Sequence, residues 1–426
     1  MNGWREKLFE ISWRAAILVL PWQTRWYRPA ELGGWPWEQG SLAVYATWLP
    51  ILATILFGFA PRRDKRFILP ATLVLLLMAA GFFSGAPWQP MLMWWAQILS
   101  LGFFVWTLFD KKVAARKLLF WFVFSLLAPT LLGAYQFAQQ KAFAASWFGL
   151  AAHDPRELGV SVVEWGEFRL LRVYGSFPHP NIFGGWLAAG VLAAVYAAGL
   201  AKDRFRAYAY ALAAAVFSGV LILTFSRSAM LAATLSLAVL GARSFLRRKS
   251  AETDFSFVAL ALVCAALGAG LIGITQLEPL TTRVKAQDRL ELISQTERQS
   301  SLAEGWEMFK RRPVLGTGAN AELFFMAQSA HKNSQGKLNA PLESPHVFFL
   351  LLLVDFGLVG SLAFILLSGL GLRRLAPRLE FFAWFLPLAL FDHYVWSYWS
   401  GLALLALVLL LFSRSVPSID KPAEAA

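Results

Sequence analysis

The stretch FSFVALALVCAALGAGLIGI (residues 255–274) is twenty residues long and contains no charged side chain. A helix of about 20 apolar residues can cross the hydrocarbon core of a bilayer. Similar apolar runs recur at residues 71–83 with their flanks, 118–137 and 347–370. The runs are continuous, whereas strands of a membrane barrel alternate apolar and polar residues. The sequence therefore predicts an all-α fold, a polytopic transmembrane helical bundle of about 12 helices.

The composition agrees with a membrane protein. Of the 426 residues, 58% are hydrophobic and 15% are charged, which is too apolar for a soluble chain of this length. The net charge of +13 raises the question of a nucleic-acid partner. The basic residues, however, cluster in short segments between apolar runs, at 62–66, 111–117, 202–206, 243–249 and 373–378. This pattern follows the positive-inside rule, so we expect these segments in the cytoplasm and no nucleic-acid partner.

The same topology divides the chain into segments. We expect both termini to be cytoplasmic and the protein to lie in the cytoplasmic (inner) membrane. The predicted segments are N-terminal transmembrane helices (1–138), an extracytoplasmic loop (139–180), further transmembrane helices (181–275), a large extracytoplasmic helical loop between the ninth and tenth helices (276–345), C-terminal transmembrane helices (346–413) and a cytoplasmic tail (414–426). Function is expected in the two long external loops, because long loops in compact proteins usually carry it.

Metal and cofactor chemistry finds no support in the sequence. Cys264 is the only cysteine, and the acidic residues of the external loops are scattered without a close carboxylate pair. The GTGAN segment (residues 316–320) does not follow a predicted strand, so it indicates a turn and not a dinucleotide site. We therefore predict no metal and no cofactor. If a phosphorylated group is bound, arginine must supply the positive charge, because guanidinium stays protonated and binds phosphate with two donors.

Two short segments carry candidate polar residues. Arg227 lies in LILTFSRSAMLAA (residues 221–233), in a turn between apolar runs, where an arginine is costly unless it pairs or lines a polar cavity. The segment RLLRVYGSFPHPNIFGG (residues 169–185) ends a loop and begins a helix that Asn181 is expected to cap. The alternative for this second segment is an ordinary membrane entry with snorkelling arginines, in which His179 is an interfacial polar residue.

The long loop predicts amphipathic helices. Leu290, Ile293, Leu302, Trp306 and Phe309 recur at helical spacing, which predicts helices with one apolar side lying against the membrane mouth. Three arginines occur along the same segment, at positions 283, 289 and 298. From spacing alone, most of them are expected to be solvated surface charges.

Four motifs in order carry a resemblance to a known family. They are GSFPHPN (175–181), SRS (226–228), ER (297–298) before RRPVLGTG (311–318), and SPH (344–346) before DFGLVG (355–360). Together they resemble the O-antigen ligase and polymerase family of bacterial envelope glycosyltransferases, over about half of the chain. The stretch LFDHYVWSYWSG (390–401) is also similar to a variant found in some members.

The resemblance implies an activity and a set of residues. It implies transfer of a glycan from undecaprenyl diphosphate to an acceptor on the outer face of the membrane, without metal or nucleotide. By motif, Arg227 and Arg298 would bind the diphosphate and His346 would be essential. Arg172 and Arg289 are additional candidates for binding it. The chain departs from the family pattern at Val347, where an asparagine is common, and at Asp355, where a glutamate is usual.

The mechanism expected from these residues is an inverting transfer in which His346 accepts the proton of the acceptor hydroxyl. A role of His346 in positioning alone remains open. The acceptor is a lipid, a polymer or a protein, so a ligase, a polysaccharide polymerase and a protein O-oligosaccharyltransferase of the same family all stay possible. A lipid-linked glycan transporter or flippase is the alternative from another class. It is disfavoured because the predicted helices carry few polar residues at mid-depth.

Overall fold

The computed structural model describes residues 3–59, 68–165, 168–248, 253–285, 289–330, 333–334 and 336–413. The predicted cytoplasmic tail (414–426) and the basic cluster at 62–66 lie outside the described residues.

Helices form most of the described chain. They are α1 (Gly3–Val19), α2 (Trp48–Gly58), α3 (Ile68–Phe82), α4 (Trp88–Asp110), α5 (Ala115–Gln139), α6 (Pro180–Gly199), α7 (Arg204–Leu223), α8 (Arg227–Leu246), α9 (Phe255–Thr275), α10 (Leu277–Lys285), α11 (Arg289–Arg311), α12 (Glu322–Ser329), α13 (Phe348–Leu375), α14 (Leu379–Phe391), α15 (Tyr394–Ser397) and α16 (Trp399–Leu411). Seven of those described, α4 to α9 and α13, are long and apolar enough to cross a membrane. The predicted all-α polytopic membrane fold is confirmed.

Short β-hairpins occur in segments for which the sequence analysis predicted no strands. Strand β1 (Arg25–Arg28) pairs antiparallel with β4 (Leu42–Tyr45), and between them β2 (Glu31–Leu32) pairs with β3 (Trp35–Pro36). Gly33 and Gly34 join β2 to β3 with φ values of 60° and 83°, which fits the two-residue turns that connect tight hairpins. Residues 25–45 are called the N-terminal hairpin below. A further pair, β5 (Val162–Trp165) with β6 (Phe168–Leu171), precedes α6.

Helix α6 occupies the centre of the bundle. Every residue from Pro180 to Gly199 is buried, and α5, α7, α8, α9, α14 and α16 all pack against it. Its many Gly and Ala residues permit this, because small side chains let helix backbones approach closely. A Cβ atom on Gly184 would lie 2.9 Å from that of Ala229 in α8. The start of α6 is therefore held tightly against the start of α8.

Helix α13 is interrupted near its middle. Gly357 has φ 61° and ψ −169°, a conformation that is essentially restricted to glycine. The carbonyl groups of Val354 and Asp355 instead accept hydrogen bonds from the N–H groups of Thr317 (2.9 Å) and Gly318 (2.8 Å). The GTGAN segment is thus a turn, as predicted, and its backbone satisfies the polar groups that the break leaves free.

Helix α11 forms within the segment for which amphipathic helices were predicted. Its buried side consists of Ser301, Gly305 and Met308, whereas Ile293 and Trp306 are exposed. Gly305 faces the segment before α13 so closely that a Cβ atom there would lie 2.4 Å from the ring of Pro345. The helix therefore packs through its small residues. Hydrophobic periodicity identified the helix, and the contact of an apolar side with the membrane mouth stays a prediction.

Candidate active site

A cavity of about 350 Å³ lies mainly between four parts of the chain. These are the N-terminal hairpin, the turn before α6, the segment before α13 and the connection between α14 and α15. Three histidines line it: His179, His346 and His393. Three carboxylates also line it: Glu38, Glu343 and Asp392. A concave site with convergent polar groups is the usual form of a ligand-binding or catalytic pocket.

His346 lies two residues before the start of α13, and its side chain is 19% exposed. Its Nε2 is 3.2 Å from Oε2 of Glu343, and this hydrogen bond lowers the pKa of the Glu343 carboxyl group. An ionised carboxylate only accepts hydrogen bonds, so Nε2 is the donor. In the neutral ring Nδ1 then keeps its lone pair. This Nδ1 is buried and has no hydrogen-bond partner in the described part of the chain.

His393 packs edge-to-face on His346, with 4.9 Å between the ring centroids. Its Nδ1 is 2.7 Å from Oγ of Ser397. Burial, together with the nearby charges of His346 and Arg298, lowers the pKa of His393 to about 3. His393 is therefore neutral at physiological pH and adds no positive charge beside His346.

His179 is the N-cap of α6 in place of the predicted Asn181. Its Nδ1 accepts the N–H of Asn181 at 3.1 Å, and its Nε2 is 3.2 Å from Oγ of Ser161. Burial lowers the pKa of His179 well below its usual value, and Arg172, His393, His346 and Arg283 lower it further through their charges. His179 is consequently a neutral, fixed residue of the cavity wall and not an interfacial polar side chain.

Arg172 begins a chain of buried hydrogen bonds. It donates through Nη2 to Oδ1 of Asn181 (2.5 Å) and through Nε to the carbonyl of Thr224 (2.8 Å). Asn181 in turn donates through Nδ2 to Asp392 (2.9 Å), and Ser228 donates to the other oxygen of that carboxylate. The chain of bonds joins the turn before α6, the turn before α8 and the α14–α15 connection. It fixes two walls of the cavity, the turn before α6 and the α14–α15 connection, relative to the turn before α8.

Arg227 is the first residue of α8, and its Nη1 donates to the carbonyl of Arg283 at 3.0 Å. The side chain of Arg283 is itself buried and donates through Nε to the carbonyl of Phe225 at 2.8 Å. Arg283 is therefore not among the solvated surface charges that were expected for most of the three arginines. Phe225 has a left-handed backbone with φ 50°, a conformation that marks strain in a bulky residue. A strained turn therefore lies just before Arg227.

The two arginines of α11 lie in different surroundings. Arg298 is close enough to lower the pKa values of Glu343 and His393 through its charge, so it belongs to the surroundings of the cavity. Arg289 is 75% exposed, and its Nη2 lies 3.9 Å from Oε1 of Glu164 in β5. Its described contact is thus with the hairpin before α6 and not with the cavity.

The structure brings together residues that are far apart in the sequence. His346 acts electrostatically on both His179 and His393, whereas Arg172 acts on His179 and Arg298 acts on His393. Arg227 contacts the backbone of Arg283, whose charge also acts on His179. Sequence reasoning missed the individual roles of Asp392 and His393. The sequence analysis noted residues 390–401 only as one motif, because nothing in the neighbouring sequence links Asp392 or His393 to His346.

No group of three or more His, Cys, Asp or Glu side chains suited to a metal ion occurs among the residues described.

Comparison with protein families gives one match. Residues 212–365 match the family model described as O-antigen ligase, which is about a third of the chain. The match runs from α7 into the second half of α13. It includes Arg227, Arg298 and His346, and it ends before His393 and begins after His179. No curated protein matches the chain.

Proposed function

We propose that the chain, whose residues 212–365 match the family model described as O-antigen ligase, is a ligase-type glycosyltransferase. The proposed reaction moves a glycan from undecaprenyl diphosphate to a hydroxyl group of an acceptor. It takes place on the outer face of the cytoplasmic membrane and requires no metal. The acceptor is a lipid, a polymer or a protein.

The observation that carries the proposal is the placement of His346. The residue belongs to the family domain, lines the cavity of about 350 Å³ and is oriented by Glu343 at 3.2 Å. A general base needs an acceptor atom within reach of the proton that it removes and a partner that holds the ring. Nδ1 of His346 is such an acceptor, because Nε2 is engaged with Glu343. A hydroxyl group that reached Nδ1 would supply the hydrogen bond that this atom lacks.

The proposed step is a single displacement. The acceptor oxygen attacks the anomeric carbon from the face opposite the diphosphate while its proton passes to Nδ1 of His346. The bond between the anomeric carbon and the diphosphate oxygen breaks, and the diphosphate leaves with the bonding electrons. The configuration at the anomeric carbon is inverted. The carboxylate of Glu343 stabilises the imidazolium ion that forms, as a carboxylate does beside a catalytic histidine.

Arg227 and Arg298 are proposed to bind the diphosphate and to stabilise its charge as it leaves. Arg298 supports this role because its charge acts on both Glu343 and His393 at the cavity. Arg227 stands at the start of α8 and is tied to the buried Arg283. Loss of one such stabilising group typically costs about 3 to 4 kcal/mol in the activation free energy.

Arg172 and Arg289 are proposed to assist diphosphate binding in different ways. Arg172 is 5% exposed and engaged with Thr224 and Asn181, so it acts through the position of those groups. Arg289 is 75% exposed, so it attracts the anion from solvent through its charge.

A reconstitution experiment tests the proposal. The purified protein in lipid vesicles receives an undecaprenyl-diphosphate-linked oligosaccharide and an acceptor extract, and the products are separated by size. The proposal predicts transfer of the oligosaccharide as one block. A ladder of products would identify a polymerase, and glycosylated protein would identify an oligosaccharyltransferase. Movement of the lipid-linked glycan across the membrane without transfer would contradict an enzyme and identify a transporter.

A further inference from the structure

One wall of the cavity comes from outside the family domain. The N-terminal hairpin supplies six of its lining residues: Leu32, Trp35, Pro36, Trp37, Glu38 and Gln39. The family match begins only at residue 212. The residues that would perform the chemistry thus face a wall from a different part of the chain.

The hairpin is held rigidly within itself. Arg25 forms an ion pair with Glu38 and also donates to the hydroxyl of Tyr45 at 3.0 Å. Tyr27 donates its hydroxyl to Oε2 of Glu38 at 3.2 Å. These bonds tie the Glu38 carboxylate to strand β1, and Arg25 links it to Tyr45 of β4. Glu38 therefore presents a fixed carboxylate at the cavity.

The hairpin is also fixed to the segment that precedes α13. The N–H of Leu338 donates to the carbonyl of Gly33, and Nε1 of Trp35 donates to the carbonyl of Leu338, both at 2.9 Å. Trp37 is 7% exposed and stacks on Phe324 with 6.5 Å between ring centroids. It belongs to an apolar cluster with Met308, Leu323, Phe325, Met326 and Val354. The wall is thereby preorganised relative to His346.

The charges of the cavity lining indicate what it binds. Glu38, Glu343 and Asp392 are carboxylates, and none of the described lining residues is Lys or Arg. A diphosphate is disfavoured in such a lining, because like charges repel and burying an unpaired charge is costly. The candidate arginines all lie outside the lining. The cavity therefore suits an uncharged part of the substrate.

A sugar ring fits these groups better than a lipid chain does. Its C–H faces pack on flat aromatic side chains, and its hydroxyl groups donate to carboxylates and amides. Trp35, Glu38 and Gln39 offer both kinds of contact within five residues, and Asn181 and Tyr398 add polar groups from other walls. A polyprenyl chain would leave Glu38 and Gln39 without new partners.

We propose that the N-terminal hairpin is the glycan-recognition wall of this cavity, and that Trp35, Glu38 and Gln39 determine which sugar is accepted. The inference rests on the proposed function and names the part of the substrate that the cavity holds. The sugar belongs either to the donor glycan or to a glycan acceptor. A site that hydrogen-bonds substrate hydroxyl groups rejects sugars that lack them, so the wall selects between glycans.

Binding and kinetics with Trp35→Ala and Gln39→Ala test the proposal. Trp35→Ala removes the aromatic surface and one hydrogen bond to Leu338. Gln39→Ala leaves the docking of the hairpin intact, because Gln39 makes no side-chain hydrogen bond in the described part of the chain. Trp26→Ala is the matched control, since Trp26 lies on the same hairpin, is 62% exposed and does not line the cavity.

Binding of undecaprenyl diphosphate with and without an attached oligosaccharide is measured in lipid nanodiscs, together with KM for a glycan acceptor. If the sugar belongs to the donor, both test variants bind the glycan-bearing lipid at least tenfold more weakly and bind the sugar-free lipid normally. If the sugar belongs to the acceptor, both test variants raise the KM for the acceptor at least tenfold. Trp26→Ala changes neither quantity.

The inference is overturned if both variants retain wild-type affinity for the glycan-bearing lipid and wild-type KM for the acceptor. It is also overturned if both variants weaken binding of the sugar-free lipid as much as binding of the glycan-bearing lipid, because the wall would then act on the lipid and not on the glycan. The binding measurement requires no turnover. Sugar-dependent binding without transfer would therefore refute the proposed reaction and leave the recognition wall in place.

Discussion

Replacing Glu343 by Gln tests how the cavity prepares His346 for catalysis. The substitution keeps the shape of the side chain but removes its negative charge 3.2 Å from Nε2 of His346. That charge stabilises the imidazolium ion that the proposed reaction forms. We therefore expect a fall in kcat with little change in KM, since the interaction strengthens only as the transition state is reached.

The size of the effect follows from the geometry. Two unit charges 3.2 Å apart interact by about 5 kcal/mol at an effective dielectric constant of about 20. The Glu343 side chain is 52% exposed, so solvent screening reduces this to about 1 to 2 kcal/mol. A loss of that size lowers kcat by about 5- to 30-fold.

The assay measures the release of undecaprenyl diphosphate at saturating donor and acceptor concentrations. Glu304→Gln is the matched control, because Glu304 is an exposed carboxylate of α11 that does not line the cavity. A kcat for Glu343→Gln within twofold of that of Glu304→Gln would refute the reasoning. It would mean that Glu343 does not stabilise a charge that forms on His346.

Three further predictions concern stability. Gly357→Ala should lower Tm, because a Cβ atom there would lie 2.4 Å from the backbone of Val314 and the residue has φ 61°. Gly369→Ala should leave Tm unchanged, because no atom lies within 4 Å of a Cβ atom added there. Equal Tm values for the two variants would contradict the account of the break in α13. Arg172→Lys should lower the free energy of unfolding by about 1 to 3 kcal/mol through its lost bonds to Thr224 and Asn181, and wild-type stability would contradict this. The pKa of His393 is lowered to about 3, so the unfolded chain takes up a proton first as the pH falls. Stability should therefore decrease from about pH 6.5 toward pH 3, and His393→Gln should decrease less steeply, as thermal unfolding across this range would show.

The membrane helices could be predicted from the sequence because hydropathy is a local property. Runs such as residues 255–274 contain all the information that identifies a span, and α9 (Phe255–Thr275) forms there. The hairpins at residues 25–45 and 162–171 were missed because their strands are only two to four residues long. Strands that short show no alternation of polar and apolar residues that could be recognised.

The residues of the site also divide into those that the local sequence indicates and those that only the folded chain brings together. His346 and Arg227 stand next to apolar runs, so their cost near a membrane marks them in the sequence. The buried side chain of Arg283 bonds to the carbonyl of Phe225, 58 residues away, and the contact of His393 with His346 spans two whole helices, α13 and α14. The proposed glycan-recognition wall depends on a contact still longer in sequence, because the side chain of Trp35 donates a hydrogen bond to the carbonyl of Leu338, 303 residues later. Such contacts exist only in the folded chain.

The most direct test of the central claim compares wild type, His346→Ala and His153→Ala in lipid nanodiscs. His153 is the matched control, since it stacks on Tyr174 at 3.9 Å and does not line the cavity. The quantity measured is the acceptor-dependent release of undecaprenyl diphosphate from the lipid-linked oligosaccharide. The account predicts release by wild type and His153→Ala and none above background by His346→Ala, with all three proteins unfolding at the same temperature. Wild-type release by a folded His346→Ala variant would contradict it.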